Sequence, residues 1–144
     1  MSFPFRLRWS CESTVLERYV AHSFELHRSF EIIALEAQYT EAVYEVDLFP
    51  LNPYPFEPEK VQVLVGHPSA ARITVHQDGR AYVVRVRDFA GVPEKSLTVR
   101  RSGAAPENPG MLMVPAESVF GLVRSICVHN VLPGWADLIE RAGG

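Results

Sequence analysis

Asp78-Gly79 constrains this chain more than any other pair of its residues. The dipeptide supplies the positive φ angles of a tight hairpin turn. It sits inside "RITVHQDGRAYVVRVRDF", where alternating runs flank it on both sides. A chain with this hairpin must build antiparallel sheet. More strand pattern lies just before it: in "KVQVLV", Val61, Val63 and Val65 share one face. In "EAVYEVDLF", Tyr44, Val46 and Leu48 alternate with Glu45 and Asp47. "SFEIIALEAQY" also reads as a strand by period-two counting, with Ile33, Leu35, Ala37 and Tyr39 on one side. Thr40-Glu41 then turns it into the next strand. "KSLTVRR" is expected to add another, and Phe5 to Trp9 an opening one.

Two regions carry helix signals. Thr14 to Glu17 matches a capping box, and Leu16, Val20 and Phe24 recur every four residues. This predicts a helix over Ser13 to Leu26. Pro115 suits the first turn of a later helix, with Glu117 near its positive end. There Val119, Leu122, Val123, Ile126 and Cys127 form an apolar stripe. A short last helix is expected over Trp135 to Arg141. The expected architecture is a single α+β domain over residues 1–144. It comprises a four-stranded antiparallel meander flanked by an N-terminal helix and C-terminal helices. Ser102 to Gly110 reads as a surface loop.

Composition narrows the function classes. A net charge of -3 with no basic block argues against nucleic acid as a partner. No apolar run approaches the roughly 20 residues of a membrane helix, and no signal peptide is expected. Cys11 and Cys127 stand far apart, which fits a reduced, cytoplasmic setting better than a disulfide scaffold. The histidines at 22, 27, 67, 76 and 129 show no metal-ligand spacing, so neither metal nor cofactor is expected. Glu45 and Asp47 read as the solvated side of a strand. Gly143-Gly144 follows a predicted helix and reads as its end rather than as a modifier tail.

The proline-rich stretch "YEVDLFPLNPYPFEPEKVQVLVGHP" resembles the central part of the ubiquitin-conjugating enzyme fold. Phe49-Pro50, Tyr54-Pro55-Phe56, Pro58 and His67-Pro68 occur in the order that family shows. The match covers about twenty-five residues and is topological elsewhere. Each proline fixes its own φ and restricts the residue before it, so such a loop loses little entropy on folding.

The resemblance implies thioester exchange at a cysteine, but the cysteine is missing. In the best equivalent place stands Gly79-Arg80-Ala81-Tyr82, with Tyr82 where the family has its thiol. Ser69 replaces the asparagine that follows His-Pro in the family. Both departures resemble the inactive variants of the fold, which bind proteins without conjugating them. The resemblance therefore implies an adaptor for a ubiquitin-like modifier, a conjugation-pathway enzyme or an extended proline-bearing peptide. Tyr54, Phe56, His67, Ser69 and Tyr82 are the expected binding residues, and no catalytic residue is expected. Two alternatives stand beside this reading. One is a divergent conjugating enzyme using Cys11, before a helix N-terminus, or Cys127, on an apolar stripe. The other is a small acidic chaperone of the secretion type.

Overall fold

A computed structural model describes residues 5–11, 14–50, 59–101, 110–129 and 131–141. The chain opens with a hairpin of β1 (Phe5–Cys11) and β2 (Thr14–Val20), then a long helix α1 (Ser23–Thr40). Four strands follow as a meander: β3 (Val43–Pro50), β4 (Lys60–Val65), β5 (Ala70–Gln77) and β6 (Arg80–Val86). Short strands β7 (Val92–Pro93), β8 (Val99–Arg100), β9 (Met111–Leu112) and β10 (Val114–Pro115) lead to α2 (Val119–Cys127). The strand β11 (Ala136–Glu140) closes the described chain.

The main sheet runs β11-β6-β5-β4-β3-β1-β2, with β10 beside β5 and β8 beside β3. Every pairing is antiparallel except β3 with β8. The expected α+β class and meander are therefore present, but inside a larger sheet. The Asp78-Gly79 turn forms as its residue types demand, with φ of 55° and 75°.

Both helices lie on one face of the sheet. Leu26, Phe30, Ile33 and Ala37 of α1 and Leu122, Val123, Ile126 and Cys127 of α2 pack there. They meet Leu7, Tyr44, Val46, Leu48, Val61, Val63, Ile73 and Val84. Each large aliphatic chain taken fully from water contributes about 1.5–3 kcal/mol. That face is the core.

Three expected elements are different. Residues 14–20 form a strand, not a helix, because i and i+4 share a face in either structure. Pairing with β1, from Cys11 opposite Thr14 to Phe5 opposite Val20, decides between them. The strand expected in "SFEIIALEAQY", with Ile33, Leu35, Ala37 and Tyr39 on one side, is instead part of α1. Ile33 and Ala37 are buried there, while Leu35 and Tyr39 are 58% and 87% exposed. The four apolar residues belong to two opposite stripes of one helix, and alternation imitated a strand. Trp135 to Arg141 is not a helix: Ala136 to Glu140 extend the sheet along β6. So α2 is the one C-terminal helix among the described residues, and the N-terminal helix follows a hairpin.

Candidate functional site

The turn Gly66-His67-Pro68 joins β4 to β5 beneath the end of α1. Gly66 has φ +117°, and a Cβ there would lie 2.3 Å from the Cβ of Ala37. Only glycine lets the turn pass so close under the helix. The His67 ring then folds back on its own chain. Its Nδ1 accepts the backbone N–H groups of Ser69 at 3.1 Å and Ala70 at 3.2 Å, with Ser69 Oγ at 3.3 Å. Two backbone donors on Nδ1 leave the ring proton on Nε2. The Ser69 carbonyl accepts the N–H of Ala116 at 3.1 Å, which ties this turn to the approach of α2.

Beside the turn lies a groove of about 320 Å³ between α1 and the start of α2, with His27, Phe30, His67, Pro68, Glu117 and Phe120 in its lining. His27 pairs with Glu31 at 2.9 Å and meets the Phe120 ring edge-on, centroids 4.3 Å apart. An apolar floor with a few oriented polar groups is suited to a side chain or a bent peptide segment. Among the described residues no group of three metal-ligating side chains converges anywhere.

The expected site residues separate. His67 and Ser69 stand together at this turn. Tyr82 lies on β6 opposite Val75, on the helix face of the sheet and partly buried. Val75 is five residues along β5 from Ala70, so Tyr82 is roughly 17 Å from the His67 turn at 3.3 Å per residue. The phenol and the imidazole do not form one site. Tyr54 and Phe56 lie outside the described residues. Cys127 is 2% exposed in the core, as its place on the apolar stripe suggests. Cys11 ends β1, so it does not precede a helix N-terminus as expected; its side chain is not among those described.

The opposite face of the sheet holds a polar network that the alternation of β3 only half reveals. Asp47 is 3% exposed and Glu45 is largely buried, so neither is the solvated carboxylate expected. Gln62 donates to Asp47 at 2.9 Å and to Glu45 at 3.4 Å, while its amide oxygen meets His76 Nε2 at 2.6 Å. Arg8 approaches Asp47 at 3.6 Å. Nearby, Glu94 receives hydrogen bonds from both Arg72 and Arg101. Burial alone would raise the Glu94 carboxyl, but these bonds and charges outweigh it and hold it below the usual range. Burial pushes Glu45 up, and Arg101 at 4.0 Å offsets this only in part. Burial and Lys60 both lower His76.

Every charge in this network has a counter-charge or a donor inside it, and it clamps the 94–101 segment onto the sheet. No family model, curated protein or solved structure matches the chain.

Proposed function

We propose that the chain is a non-catalytic, protein-binding domain of the ubiquitin-conjugating-enzyme type. Its binding element is the groove at His67. Its partner is a ubiquitin-like modifier, an enzyme of that pathway or an extended proline-bearing peptide. The observation that carries this reading is the His67 turn itself. The imidazole spends Nδ1 on holding its own loop, and the one thiol side chain described is buried in the core. A groove with a rigid rim and, among the described residues, no thiol in its lining favours binding over thioester transfer. The order helix, four-strand meander, helix agrees with the resemblance, whereas the β1–β2 hairpin and β11 are additions to that pattern.

The test is a titration of the chain with ubiquitin and with other ubiquitin-like proteins, followed by NMR. Saturable shifts at Phe30, His67 and Phe120 that weaken on Phe120→Ala are expected. Flat titrations throughout would remove the reading. A parallel incubation with activating enzyme, ATP and modifier separates binding from catalysis. A thiol-sensitive adduct lost on Cys11→Ser would make the domain an enzyme instead.

A further inference from the structure

Helix α1 is apolar on two sides, and only one of them faces the core. Phe24, Ile32, Leu35 and Tyr39 are 69%, 47%, 58% and 87% exposed. With Arg28 they follow one another at helical intervals of four, four, three and four residues. They make one stripe about 22 Å long on the side away from Leu26, Phe30, Ile33 and Ala37. Arg28, exposed between Phe24 and Ile32, places one positive charge near the N-terminal end of the stripe. A contiguous apolar patch on the order of a few hundred Å² marks an interaction surface, whereas isolated exposed apolar residues do not.

Charge says what covers it. Glu25 and Glu36 flank the stripe on one side and Glu31 on the other. The last turn of α1 has no basic residue, and Glu41 caps it at φ 54°. The negative end of the helix dipole thus coincides with Glu36 and the capping Glu41, and Glu36 lies beside the two most C-terminal apolar residues, Leu35 and Tyr39. A second copy is a poor occupant. In an antiparallel pair of these helices Glu31 would face its own symmetry mate, and in a parallel pair it would face Glu36.

We propose that the outer face of α1 docks an amphipathic helix of another protein, one whose apolar seam is bordered by lysine or arginine. The complex is a helix pair with an apolar seam and charge-complementary edges, densest at the C-terminal end of α1. None of the stripe residues lines the groove; of the flanking carboxylates Glu31 does, where it pairs with His27.

The probes are two synthetic helical peptides about as long as α1, with the same leucine seam bordered by lysines in one and by glutamates in the other. Fluorescence anisotropy with the full chain should show saturable binding of the lysine peptide, weakened by added salt. The glutamate peptide should bind at least about tenfold more weakly. Leu35→Ser with Tyr39→Ser should cost the lysine peptide about tenfold or more, since both residues leave the seam. Glu36→Lys, which leaves the groove lining untouched, should narrow the difference between the two peptides. The proposal falls if the serine variant binds as well as the parent, because the basic peptide would then be held by net charge alone. It falls equally if both peptides bind alike. A dimer in light scattering that the serine variant dissociates would assign the stripe to a second copy instead.

Discussion

The two faces of the sheet are closed by opposite chemistries. The helix face is shut mainly by apolar side chains of α1 and α2 against valine, leucine and isoleucine, with a hydrogen bond between Thr40 and Tyr44 at 3.2 Å beside them. The other face is shut by short, weakly regular segments, and what holds them is specific. A small apolar cluster of Val43, Leu64, Ala70 and Leu112 adjoins the Arg72–Glu94–Arg101 clamp. An apolar face tolerates exchange of one hydrophobe for another at modest cost. An ionic face does not tolerate removal of one member, because the desolvated partner remains. The same strands thus carry a forgiving side and an exacting side.

Substitutions can break this contrast, beginning with the largest effect. Glu94→Gln leaves Arg72 without its counter-charge and Arg101 with only Glu45 at 4.0 Å, and should lower unfolding free energy by about 3–5 kcal/mol in urea titrations. Replacing Arg72, Glu94 and Arg101 together by apolar residues of similar volume should restore most of that loss. A triple variant as unstable as the single one would show the clamp to be worth more than its desolvation cost. On the helix face, Leu122→Ala should cost about 3 kcal/mol through lost burial and the cavity left behind.

Acid sharpens the comparison with smaller effects. The lowered His76 means that the unfolded chain binds its proton first as pH falls below the ordinary value of 6.5. Stability due to His76 is therefore full above that value and is lost through the folded value as pH drops. His76→Gln should flatten this part of the curve measured by urea midpoints. Glu94 has the same sign lower down: its contribution is full above its ordinary value of 4.5 and disappears as pH falls through the depressed one. Glu45 is raised, so its charged form opposes folding and Glu45→Gln should remove a gain on acidification. At the small end, Asp137→Asn should leave the urea midpoint unchanged. Its bonds to Arg87 at 2.8 and 3.1 Å lie in solvent, where an exposed ion pair contributes little.

The pattern of what was legible follows from this division. The meander could be read because its valines keep a strict alternation and Asp78-Gly79 marks the turn. The strand β2 and helix α1 exchanged identities because both carry apolar residues on two faces, and a two-sided pattern fits either period. Thr40-Glu41, expected to turn a hairpin, instead holds the last residue of α1 and its left-handed cap. The polar clamp was hidden because it depends on residue 94 folding back over residues 45 and 72, a closure no local period encodes. His67 and Ser69 were found by their motif. Tyr82 was joined to them by counting along the chain, and sheet register separates them.

The first strand of the chain lies inside the sheet, between β2 and β3, with Leu7 opposite both Arg18 and Leu48. During synthesis on a ribosome its inner edge stays unpaired until residue 50 has emerged, and β6 waits still longer for β11. Trimming residues 5–11 would therefore remove the strand that joins β2 to β3 and leave β2 without its partner, so shortened versions meant for expression should keep these residues.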